Sequence, residues 1–141
     1  MNTKQTIQLV ATDLTLLAAR LIFGGYMFWE HGMKKWYKWD VIQHDFATPF
    51  GLPPYWSAAL TIFAEYYCCI LIVFGLFTRW ASISNLICML VAALVIHAGD
   101  PIGDRESAFL YLAGFAVIAL YGAGRISVDH WIKKTRLGRW V

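Results

Sequence analysis

The chain has 141 residues, of which 59% are hydrophobic and only 15% charged, with a formal net charge of +3 and a mean hydropathy of +0.52. That balance excludes an ordinary soluble domain, because several apolar stretches approach the roughly 20 residues a membrane-spanning helix needs. The basic residues fall at the ends of apolar segments rather than in a stripe, so the surplus charge speaks for membrane topology and against nucleic acid. The length allows one compact domain. Cys68, Cys69 and Cys88 all lie inside apolar runs with no Cys-x-x-Cys spacing. Such a set argues against a disulfide framework or a thiol-exchange enzyme and reads as small packing residues.

In chain order, a short polar start carrying Lys4 leads to Thr12 and Asp13, either of which can cap the helix that follows. Helix one is predicted over 14–33. The first apolar segment contains Asp13 and Arg20, is too long for the apolar core of a signal peptide and lacks a small-residue cleavage pattern, so it is expected to remain as the first span. Arg20, Gly24, Met27 and His31 share one helical face, which is expected to point inward. Residues 34–53 form an aromatic loop at the membrane surface, rich in Trp36, Tyr37, Trp39, Phe46 and Phe50 and interleaved with charges.

Pro53-Pro54 suits a helix start, and helix two is predicted over 54–77. Helix three follows over 80–97. A Gly-Asp-Pro turn then leads to helix four over 105–122. The tail, 125–141, mixes Arg125, Lys133, Lys134, Arg136 and Arg139 with Trp131, Leu137 and Trp140, as expected of a segment lying on an anionic leaflet. Together with Lys4 and Arg79 these tail bases outnumber Lys34, Lys35, Lys38 and Arg105, so both termini are predicted to be cytoplasmic. The expected fold is an all-α integral membrane four-helix bundle.

The chemistry centres on Glu65, a carboxylate in the middle of an apolar run. An isolated charge near a bilayer midplane costs roughly 2.5 kcal/mol or more, so it needs a partner. With a rise of about 1.5 Å per residue, Arg20 and Glu65 both come out roughly 16 to 20 Å from the outer surface, which makes an Arg20–Glu65 ion pair the first geometric expectation. His31, His97 and Glu106 come from three helices and all lie near the outer surface, where they are expected to form a polar pocket with the pair as its floor.

Three readings stay open. In the first, the pocket handles a quinone: His97, Glu106, Glu65 and Tyr111 supply donors and titratable groups, with Tyr66 a further phenol. No electron-carrier motif is visible in the sequence, so a redox partner or larger membrane complex would have to supply electrons. In the second, His31, His97 and Glu106 ligate a metal or haem, although no metal-spacing motif supports it. In the third, the chain is a non-catalytic structural or assembly subunit and Arg20–Glu65 is a static tie.

The segments Ala19-Arg20, Trp29-Glu30-His31-Gly32-Met33-Lys34-Lys35, Gly51-Leu52-Pro53, Ala64-Glu65, Gly75-Leu76-Phe77-Thr78-Arg79, His97, Glu106 and Gly122-Ala123-Gly124-Arg125 onward to Asp129 resemble, in order and spacing, the DoxX family of small membrane proteins. The resemblance implies a multi-pass subunit of a quinone-linked oxidoreductase system in the bacterial inner membrane. It maps the family's polar positions onto Arg20, His31, Glu65, His97 and Glu106. Where relatives often have glycines after the helix-two Glu, this chain has Tyr66-Tyr67-Cys68-Cys69. The catalytic set expected on these grounds is Glu65, His97, Glu106 and Arg20, with His31, Tyr111 and Tyr66 contacting the quinone.

Overall fold

The computed structural model describes residues 2–135, and no strand occurs among them. Four long helices follow one another: α1 (Thr3–Tyr37), α2 (Pro54–Phe74), α3 (Thr78–Ile96) and α4 (Ile102–Tyr121), with a short α5 (Val128–Lys134) after them. The first three are long and apolar enough to cross a membrane. α4 is as long but carries Asp104, Arg105 and Glu106 near its start. Met27 of α1, Cys69 and Ile72 of α2, Met89 of α3 and Phe115 and Ile118 of α4 meet in one core. Arg136, Leu137, Arg139 and Trp140 of the expected basic tail lie outside the described residues.

α1 starts eleven residues earlier than its apolar run, because Asn2 rather than Thr12 or Asp13 caps it, in a reciprocal arrangement with Gln5. Asp13 is instead buried, accepting hydrogen bonds from the Arg125 backbone N–H (2.8 Å) and Nε (2.6 Å). α1 also continues past Met33 to Tyr37, and part of the expected loop is a helical turn, Trp39–Ile42. α2 stops three residues early at Gly75, whose φ of +72° suits glycine, and a Cβ there would also approach the Arg20 guanidinium to 3.0 Å.

The register of α1 against α2 corrects the expected Arg20–Glu65 pair. Gly32 lies against the Glu65 backbone, where a Cβ would come within 2.4 Å of the carbonyl oxygen, and Gly24 lies against Ile72. Helices dissolved in lipid gain little from hydrophobic burial against one another, so close approach at small residues is what holds them. Twelve residues separate Gly32 from Arg20, so the guanidinium lies about 18 Å along the axis from the Glu65 level. The expected pairing sets the end of α1 at Met33 level with the start of α2 at Pro54. α1 instead continues four residues to Tyr37, and that end lies level with Leu60, six residues into α2, so the register differs by ten residues, about three turns.

Arg20 is 2% exposed and ties the other end of the molecule together. Its Nε and Nη2 donate to the Ile72 and Val73 carbonyls at 3.0 Å each, and its Nη1 donates to the Ala123 and Ile126 carbonyls. These carbonyls belong to the last turn of α2 and the segment after α4. A planar guanidinium with five donors can satisfy them together. Asp129 completes this tail end by accepting from the backbone N–H groups of Phe77 (2.8 Å) and Thr78 (3.0 Å), which holds Phe77 at a φ of +47° and caps α3. Arg79 donates to the Leu120 carbonyl at 3.2 Å.

Candidate functional site

The opposite, loop end carries Lys35, Glu65 and His97. Three of the helices here contain wider turns closed by i→i+5 hydrogen bonds: Phe28–Gly32 in α1, Phe63–Cys68 in α2 and Ala92–Ile96 in α3. Such turns insert a residue into the helix, turn the following side chains out of the regular register and cluster at functional positions. Here they carry His31 and Glu65, and the third delivers His97, whose N–H reaches back to the Ala92 carbonyl at 3.0 Å.

Glu65 has only 5% of its side chain exposed, and its partner is Lys35, whose Nζ donates to Oε2 from the last turns of α1. Lys35 continues the face of Arg20, Gly24, Met27 and His31 by one further turn, since it lies four residues after His31. Gly32 brings the two helices close enough for the lysine to reach. The apolar run ends at Met33, which places Lys35 in the expected surface loop. The helical face extended by four residues would have found it.

This pair forms one wall of a cavity of about 450 Å³ between α2 and α3. Thr61, Ser84 and Cys88 line it with the pair, and Phe46, Phe50 and Leu52 of the loop roof it. His97 lines its far end and pairs through Nδ1 with Asp100 Oδ2 at 2.6 Å, both side chains being nearly half exposed. The Cys69 thiol meets Asn85 Oδ1 at 3.6 Å. Counted antiparallel from that contact, His97 is level with Ser57, eight residues from Glu65, so the two ends of the cavity are about 12 Å apart. The volume falls in the range of ligand pockets, and the lining is mostly apolar with a few polar groups, as in small-molecule sites generally.

Of the expected site residues, Glu65 and His97 line this cavity. Arg20 does not; it serves the tail end. His31 packs edge-on to Tyr111 at 5.7 Å, and Tyr111 is stacked on Phe115 in the core. Tyr66 stacks on Trp36 at 5.2 Å beside Phe28 and Tyr67, an aromatic cluster on the α1–α2 side of the Lys35–Glu65 pair. Glu106 is exposed near the start of α4. The single outer pocket expected from His31, His97 and Glu106 is thus dispersed, because His31 faces α4 while His97 turns to α3's own end. Among the described residues, no three His, Cys, Asp or Glu side chains gather as a metal-ligating group.

The family described as DoxX matches residues 15–98, more than half of the chain. The chain belongs to the DoxX family. Its match runs through α1, α2 and α3, and so includes Lys35, Glu65 and His97 but not Glu106 or Tyr111. The chain is also similar to an uncharacterized protein of Haemophilus influenzae, 30% identical over 138 residues and covering 91% of this chain and 89% of that one. No solved structure matches. A DoxX membrane protein with three helices apolar enough to cross a bilayer is therefore the frame in which the cavity acts.

Proposed function

We propose that this DoxX protein crosses the bacterial inner membrane four times with both termini cytoplasmic, and that it is the quinone-binding subunit of a membrane redox system. The observation that carries this reading is the largely apolar cavity between α2 and α3, with the buried Lys35–Glu65 pair at one end and His97 at the other. The loop end then faces outward, and the chain's basic groups at Arg79, Arg125, Lys133 and Lys134 face the cytoplasm.

A bound quinone supplies a ring whose carbonyl oxygens take up electrons and protons. At the deep end, Lys35 Nζ donates to a ring carbonyl, and Glu65, held by Lys35 out of water, takes or gives the proton that accompanies the change at that oxygen. Because His97 lies about 12 Å from Glu65, one ring cannot touch both. His97, oriented by Asp100, instead exchanges protons with the surface at the cavity's mouth. The apolar walls keep water from the ring. Electrons come from a redox partner protein in the same membrane.

The test is binding of a quinone to the purified protein in lipid nanodiscs. Saturable binding that Glu65→Gln weakens by about tenfold or more, with the protein still folded, supports the reading. Binding that is absent, or indifferent to both Glu65→Gln and Lys35→Met, removes it and leaves a structural subunit.

A further inference from the structure

Three helix residues that line the cavity are more than half exposed, as is Phe50 of the loop roof. Leu60 and Phe63 of α2 are 58% and 52% exposed, and Ile87 of α3 is 56% exposed, yet each contributes to the cavity wall. A side chain that both lines a cavity and leaves over half its surface uncovered is a wall one side chain thick. All three are apolar. Counted antiparallel from the Asn85–Cys69 contact, Ile87 is level with Tyr67, so Phe63 and Ile87 border the deep end of the cavity beside Glu65, and Leu60 lies about one turn further toward the mouth. Phe63 lies nine residues, about 14 Å, into α2 from Pro54, which is hydrocarbon depth in a core roughly 30 Å thick.

Resting on the quinone reading, we infer that the gap between α2 and α3 at Leu60, Phe63 and Ile87 is a lateral portal to the bilayer, and that the ligand is a prenyl-tailed quinone dissolved in the membrane. The ring lies at Lys35 and Glu65, and the tail leaves sideways between the helices. The geometry favours this over a small water-soluble ring arriving under the loop, for two reasons. The polar groups that would hold a ring are at the deep end. The thin apolar wall is next to them, whereas the mouth is about 12 Å away. The tail's contacts with Leu60, Phe63 and Ile87 then sort ligands by tail, while Lys35 and Glu65 read the ring. Uncovered apolar side chains beside a cavity are unremarkable in lipid by themselves. What makes them a portal is that they are the cavity's own wall.

The experiment compares a dimethylnaphthoquinone without a tail and the same ring with a tetraprenyl tail. Binding to nanodisc-held protein is expressed per lipid, so that partitioning into the bilayer cancels. The wild type is expected to hold the prenylated ring about tenfold tighter. Ile87→Trp, which narrows the gap, is expected to erase that advantage while weakening the tail-free ring far less, and Leu60→Trp provides a second narrowing from the facing helix. Ile83→Trp, at an exposed α3 position that does not line the cavity, is expected to change neither. Equal losses for both ligands, or an undiminished preference in both narrowed variants, would overturn the portal while leaving the quinone site standing. If neither ring binds the wild type, the quinone reading falls and the portal with it.

Discussion

Arg20 is the residue whose role the structure changes most, and its replacement gives the sharpest test of the fold. Arg20→Met keeps an unbranched apolar chain but removes the donors to four backbone carbonyls. The Ile72 carbonyl keeps the Gly75 N–H as a partner (3.1 Å), so three of the four lose the donor that satisfies them outside a regular helix. An unsatisfied buried carbonyl costs about 1–3 kcal/mol. The variant sheds the cost of burying a guanidinium, which offsets part of that, so a net loss of about 3–5 kcal/mol follows. This is a large fraction of the about 5–15 kcal/mol that holds a domain together. Arg20→Lys retains the charge but not the planar fork and falls between the two. Unfolding of the detergent-solubilised protein in increasing SDS, followed by tryptophan fluorescence, reads the difference. A loss below about 1 kcal/mol for Arg20→Met would refute the clamp, and normal stability with abolished ligand binding would return Arg20 to the active site.

Four further outcomes follow from the same geometry. Gly32→Ala puts a Cβ against the Glu65 carbonyl and is expected to destabilise by about 1–3 kcal/mol and to weaken quinone binding, whereas Gly25→Ala, with nothing within 4 Å of its Cβ, leaves both unchanged or raises stability slightly; the pair is read by SDS unfolding. Asp129→Ala frees the Phe77 and Thr78 N–H groups and is expected to cost about 1–2 kcal/mol without altering ligand affinity. Lys35→Met and Glu65→Leu singly each leave one polar partner behind, so each is expected to destabilise more than the Lys35→Met/Glu65→Leu double variant. Additive losses in that cycle would show that the two side chains do not interact.

Much of the fold is legible in the sequence because it rests on apolar run length: α2, α3 and α4 lie within about three residues of their expected bounds. The termini of α1 are less legible. Its continuous apolar run ends at Met33, but helix continues through Lys34, Lys35, Trp36 and Tyr37, the two lysines interrupting the run without breaking the helix. That extension brings Lys35 into α1, and the seating of α1 against α2 with Gly32 at Glu65 then moves Arg20 away from Glu65 and gives Glu65 to Lys35. The tail end gives Gly75 to Arg79 and Gly122 to Asp129 a structural part: they fasten the chain through Arg20, Asp129 and Arg79. The wide turns at Glu65 and before His97 left no signal in residue periodicity, because a single inserted residue per turn shifts a helical face without changing its composition. His97 and Glu65 share a cavity as expected, and Glu106 does not, because it is exposed near the start of α4.

The most direct test of the central claim is to irradiate an azidoquinone bound to the protein in nanodiscs and map the labelled residues by mass spectrometry. Labels on the α2 and α3 segments that line the cavity, between Ser57 and Glu65 and between Ser84 and His97, and lost on competition with unlabelled quinone, are what the account predicts. Labels confined to the aromatic cluster of Phe28, Trp36 and Tyr66, or scattered over the lipid-facing surface and indifferent to competition, would contradict it.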